Sequence, residues 1–197
     1  MNTRGQEVYY IKTNDIISIR TYLEFKKNIV FLAFFNIGVN TGLRFSDLSQ
    51  IKFENITKIN TIFLNEKKTN KKRTIVLNYP CMQSIKLLEE HYKNLGYQKD
   101  GYLFKRMNKE SIKKHVDLPF SLDAASKQFA KIKNACDIQY AIGTHSLRKT
   151  WGYFVYKKLK DITLLMKAFN HSSEDITIKY IGLDKDRIEE IYAKVEI

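Results

Sequence analysis

The sequence predicts a mainly helical α+β domain carrying one small antiparallel β-sheet. Three observations point there. Only 8 Gly and 2 Pro occur among 197 residues, too few to turn the many short strands of a sandwich. Apolar residues recur at helical spacing through most of the chain. One stretch breaks that rhythm: Thr61-Ile62-Phe63-Leu64 and Thr74-Ile75-Val76-Leu77, rich in β-branched and apolar residues, flank a polar, basic turn and read as a hairpin.

The elements follow in order. Thr13-Asn14-Asp15 marks a helix start, with Ile16, Ile17, Ile19, Tyr22 and Leu23 as its apolar stripe. Residues 28–39 are apolar nearly all round, the pattern of a buried helix. Asn40-Thr41-Gly42 ends it, Gly42 suiting a positive φ. A short helix then carries Arg44, Asp47 and Leu48. After the hairpin, residues 79–95 return to helix up to Gly96, with Ile85, Leu88 and Tyr92 on one face. Residues 105–119, basic and polar, read as a loop, and 121–136, 144–159 and 161–169 as three further helices. In 184–197, Ile188, Ile191 and Val195 recur at helical spacing among charges. With no internal repeat, the organisation expected is an extension or linker remnant over 1–12, one domain over 13–183 and a terminal helix over 184–197.

Charge narrows the partners. The chain has 34 Lys and Arg against 21 Asp and Glu, a formal net charge of +13. Such a surface concentrates polyanions, and nucleic acid is the leading candidate because Lys and Arg displace counterions from phosphates. Apolar residues make up 44%, enough for a core, which excludes a wholly disordered chain. Cys81 and Cys136 lie far apart with no CxxC pairing, as suits reduced thiols, and the acidic residues are scattered. No metal site and no cofactor is expected. The N-terminus lacks an apolar signal core, and the most apolar run, 29–39, is too short for a bilayer; the expectation is a cytoplasmic protein.

Four short motifs carry the chemistry. Thr41-Gly42-Leu43-Arg44-Phe45-Ser46-Asp47-Leu48 comes first, followed by the basic run Glu66-Lys67-Lys68-Thr69-Asn70-Lys71-Lys72-Arg73 in the hairpin turn. Then come His145-Ser146-Leu147-Arg148-Lys149-Thr150 and Asn170-His171-Ser172-Ser173, with Tyr180 nine residues after His171. Each alone recurs by chance. Together, in this order, they resemble the tyrosine recombinase (phage integrase) family, whose pattern is TGLRxxEL, a hairpin Lys, HxLR, and GHSS followed by Tyr. The likeness runs from about Asp15 to the end of the chain.

The resemblance implies a helical catalytic domain that cuts and rejoins double-stranded DNA through a covalent 3′-phosphotyrosine. Phosphoryl transfer needs its developing charge neutralised, and two arginines can clamp the non-bridging oxygens, which suits Arg44 and Arg148. Tyr180 is then the nucleophile. Since phenol has a pKa of about 10, it needs a base, and the resemblance supports His145. His171 would hydrogen-bond the phosphate. The departing 5′-oxygen takes its proton from a hairpin lysine; Lys68, before Thr69, best fits the family's Lys-Thr pattern, with Lys67 and Lys71 as rivals. Asp47, at the family's acidic position, could hold Arg44. Lys67, Lys71, Lys72, Arg73 and Lys149 are candidate DNA contacts. The implied partners are double-stranded DNA and further copies of the chain, a tetramer on synapsed duplexes; the C-terminal helix either packs on its own domain or, as the resemblance suggests, docks in trans on a neighbouring copy.

Two rivals stand beside this reading: a type IB topoisomerase-like relaxing enzyme, and a DNA-binding regulator that no longer catalyses. Two departures from the family's pattern also stand out. Asn170 replaces the usual Gly before the last histidine. Family members also usually carry an N-terminal DNA-clamping domain, so either this is a fragment or a single-domain member.

Overall fold

The computed structural model describes residues 7–67 and 71–184, together with Tyr192 and Lys194. Nine helices and one hairpin are seen among them. In order they are α1 (Thr13–Phe25), α2 (Ile29–Thr41), α3 (Phe45–Leu48), β1 (Thr61–Asn65), β2 (Lys72–Val76), α4 (Tyr79–Asn94), α5 (Lys109–Lys113), α6 (Leu122–Ala135), α7 (Thr144–Leu159), α8 (Ile162–Phe169) and α9 (Glu174–Ile181). The mainly α expectation with one small antiparallel sheet holds. β1 and β2 pair antiparallel in the register Thr61↔Val76 to Asn65↔Lys72. Lys68 and most of the expected terminal helix, 184–197, lie outside the described residues.

Local chemistry sets the helix limits. Asn28, Asn78, Ser121, Asp161 and Ser173 each stand just before a helix and accept a backbone N–H with the side chain, satisfying donors of the first turn. Ser121 and Asp161, expected as first helical residues, are such caps. α2 ends at Gly42 in the left-handed region, φ +61°. A Cβ at Gly42 would also stand 2.4 Å from the Trp151 ring, so space and φ both require glycine.

The predominantly apolar α2 is the central element, packed on α1, α4 and α7. Phe34 and Phe35 are fully buried, each burial stabilising by roughly 1.5–3 kcal/mol before entropy is counted. The hairpin adds Ile62 and Ile75 from its inner face to this main core. A second, smaller core gathers Tyr153, Leu165, Phe169, Ile181 and Leu183. α7 joins the two, giving Leu147 to the first and Tyr153 to the second. Gly152 lets α8 approach α7: a Cβ there would lie 2.5 Å from the Phe169 ring.

Two segments differ from expectation. Residues 105–119 are not all loop: Asn108 caps Ser111 N at 2.7 Å and starts α5. Lys105 is 1% exposed, its ammonium donating to Asp100 O and Asp117 Oδ1, a burial that its basic neighbours hide. Residues 7–11 run across α7: Tyr9 N donates to Ala141 O, Ile11 N to Thr150 Oγ1, and the Tyr10 and Tyr153 rings stack at 3.7 Å.

Candidate active site

The predicted site residues come from five separate segments, and the described ones gather where the two cores meet. α7 supplies Arg148, 2% exposed. Its Nη1 donates to Gly42 O at 2.6 Å and its Nη2 to Phe169 O at 3.0 Å, with the guanidinium carbon 4.2 Å from the Phe169 ring centre. Arg44, just before α3, reaches the same carbonyl: its Nη2 lies 3.5 Å from Phe169 O. Two guanidinium groups distant in the chain thus converge on one backbone oxygen. Burial, then repulsion from Arg44, draws the Arg148 guanidinium down to about 10, so it remains cationic at neutral pH.

The carboxylate that holds Arg44 is Glu66, not Asp47. Arg44 Nη1 is 2.9 Å from Glu66 Oε2, and Arg73 Nη1 is 2.8 Å from Glu66 Oε1. Arg44 precedes α3 with extended backbone, φ −68° and ψ 152°, so it does not stack over Asp47 on a helical face. Asp47 instead accepts the backbone N–H of Lys67 at 3.0 Å and so ties the hairpin to α3. Glu66 was missed in the sequence, although it is the sole carboxylate in the basic run 66–73.

α9 brings Tyr180 to the pocket, half-buried, its phenol oxygen 3.5 Å from His145 Nδ1. Such a contact is long for a hydrogen bond, as free active sites often are before substrate tightens them. Burial raises the phenol above its ordinary pKa, and Arg148 and Arg44 pull it back. His171 follows the left-handed Asn170 at the end of α8. Its ring stands edge-on to Tyr180 at 5.2 Å, and its Nδ1 lies 3.0 Å from Thr177 Oγ1.

Among the candidate DNA contacts, Lys67 and Lys72 are exposed. Lys71 Nζ donates to Asn170 Oδ1 at 2.6 Å. Two others are not free surface cations. Arg73 is 17% exposed at its side chain and paired with Glu66. Lys149, 6% exposed, is paired with Glu7 at 2.8 Å and lies 5.2 Å from the Tyr180 ring centre. The chain crossing at 7–11 covers that face of α7, which the pattern of α7 alone does not reveal.

Chemically, the site places two guanidinium groups beside a phenol and an imidazole. An arriving oxyanion can take over the weak 3.5 Å Arg44 contact while Arg148 stays braced by two carbonyls. Among the described residues, no three His, Cys, Asp or Glu side chains are grouped to hold a metal ion.

Comparison with known proteins bears on the family and the fold. The model of the phage integrase family matches residues 10–187. The chain belongs to that family. Its tyrosine recombinase relatives include the probable integrase/recombinase YoeC of Bacillus subtilis, 34% identical over 158 residues, spanning 80% of each chain. Among solved structures, the XerH site-specific recombinase in a post-cleavage complex with a palindromic difH substrate superposes with a TM-score of 0.72 at 21% identity, over 98% of this chain and 55% of XerH. The catalytic domain of bacteriophage HP1 integrase gives a TM-score of 0.63 at 18% identity, over 95% of both chains. The phage integrase fold therefore accounts for essentially all the described residues. No helix among them is long and apolar enough to cross a membrane.

Proposed function

We propose that this phage integrase family member is a DNA strand transferase that breaks and rejoins double-stranded DNA through a 3′-phosphotyrosine. The supporting observation is the convergence of Arg44 and Arg148 on Phe169 O beside the Tyr180–His145 pair. The scissile phosphate occupies the space between the guanidinium groups. Tyr180 Oη attacks phosphorus, passing its proton to His145, and the P–O5′ bond breaks as the P–Oη bond forms. A lysine of the hairpin run, Lys67, Lys68 or Lys71, protonates the departing O5′. His171 donates to a non-bridging oxygen, and the arginines neutralise the charge, so the step needs no metal. Attack by another 5′-hydroxyl on the phosphotyrosine restores the diester.

The net charge of +13 supports duplex DNA as the partner, as does likeness to a recombinase solved with its DNA substrate. Exchange between two duplexes calls for several copies; a tetramer on synapsed DNA, coupled through the C-terminal helix, fits that need, and a cytoplasmic setting fits DNA as substrate.

The test uses nicked suicide duplexes with a randomised central segment, from which covalent adducts are recovered under denaturing conditions and sequenced. The chain should form an adduct that Tyr180→Phe abolishes. Binding of these duplexes with no adduct would reduce the protein to a DNA-binding module. Adducts that reseal only in place, never to a second duplex, would point to relaxation rather than exchange.

A further inference from the structure

The structure links the lysine-bearing hairpin to the end of α8 by a bond that the proposed chemistry does not use. Lys71 Nζ donates to Asn170 Oδ1 at 2.6 Å, between residues far apart in sequence and both exposed. A solvated lysine gains little from holding one rotamer, so a fixed partner across the fold restrains whatever carries it. Lys71 belongs to the basic run 66–73, and Asn170 directly precedes His171.

The bond completes a bracket. On the outgoing side of the turn, Lys67 N is held by Asp47 at 3.0 Å. On the returning side, Lys71 is held by Asn170, while its carbonyl accepts from Glu66 N at 3.0 Å. Residues 68–70 lie in sequence between these anchors. Asn170 itself is at φ +53°, a left-handed conformation that glycine adopts freely and asparagine tolerates. The family's usual glycine would keep this backbone and offer no acceptor. The asparagine adds an acceptor that Lys71 uses.

Resting on the strand-transfer reading with Lys67 or Lys68 as the acid, we propose that Asn170 and Lys71 form a clasp that positions the hairpin against the His171 loop. Asn170 is a positioning residue. It acts through Lys71, without touching the reacting atoms.

Asn170→Gly preserves the turn and removes the amide, so it separates the clasp from folding. In the free protein, the Lys71 ammonium should give a slowly exchanging ¹⁵N signal that is lost in Asn170→Gly and kept in Asn170→Asp; an unchanged signal in the glycine variant overturns the clasp without any DNA. On a duplex recovered from the suicide library, Asn170→Gly and Lys71→Ala should each slow cleavage roughly two- to fivefold, the scale of one exposed charge-assisted hydrogen bond. The same duplex with sulfur at the 5′-bridging position, whose leaving group needs no proton, should be cleaved at the unmodified chain's rate. The double variant should be no slower than the slower single one. Equal slowing on both substrates, or multiplying effects, would show that the link serves something other than proton delivery, and a far deeper loss in Lys71→Ala than in Asn170→Gly would make Lys71 itself the acid and overturn the clasp. Absence of any adduct from the unmodified chain strikes the strand-transfer reading; a normal adduct with Asn170→Gly at full speed strikes the clasp alone.

Discussion

Arg44 Nη1 and Glu66 Oε2 stand 2.9 Å apart, with side chains 16% and 5% exposed, so the pocket's first arginine is pinned by a nearly buried carboxylate. The other oxygen of Glu66 holds Arg73. Removing Glu66 leaves two close cations without their shared counter-charge, whereas removing Arg73 leaves Arg44 paired. Glu66→Ala should therefore destabilise the fold by about 3 kcal/mol in denaturant titration, and Arg73→Ala by clearly less. Equal losses would mean that Arg44 does not depend on Glu66.

The Tyr180 phenol is raised by burial, so it is protonated at neutral pH and needs a base. His145→Ala should form adducts at least about a hundredfold more slowly near neutrality. Its deficit should shrink as pH climbs towards about 9.5, because a growing fraction of phenolate no longer needs the imidazole. Adduct rates measured across that range would exclude His145 as the base if the deficit stayed constant.

Gly42 meets two demands: a left-handed φ and contact with Trp151. Its carbonyl also accepts from Arg148. Gly42→Ala should lower stability by roughly 2–3 kcal/mol and shift Trp151 fluorescence. The observation that would contradict this is native emission with an unchanged unfolding midpoint.

Burial pushes the Cys81 thiol up to about 12. A thiol reagent near pH 8 should thus find almost no Cys81 thiolate in the folded chain, and Cys136, raised by partial burial, should react slowly. For linkage, the folded thiol keeps its proton where the unfolded one, near 9, releases it. The stability tied to Cys81 is intact below that pH and declines as pH rises towards 12. Rapid modification of both thiols without unfolding would be inconsistent with this core.

The parts legible in the sequence were those set by local pattern. α2, apolar nearly all round, reads as buried, and Gly42 as its end. Motif order similarly marked Arg44, Arg148 and Tyr180 as candidates. What escaped depends on contacts across the chain. Glu66 resembled one more polar residue at a basic hairpin tip, and its role depends on the approach of Arg44 and Arg73 from two elements. Lys149 looked like a surface cation because nothing in α7 announces the crossing of 7–11. The backbone oxygen of Phe169 has no side-chain signature at all. α9 went undrawn although its nucleophile candidate was named, its eight residues being short and mixed in polarity.

The fit of Gly152 against Phe169 reaches further than its place in the smaller core suggests. Both guanidinium groups rest on the carbonyl of that phenylalanine, so it is a common fulcrum for the two side chains. A single methyl group added at Gly152 would press on the ring, tilt the fulcrum and misalign both cations together. Sensitivity of the proposed strand transfer to a residue without a side chain is the expected consequence.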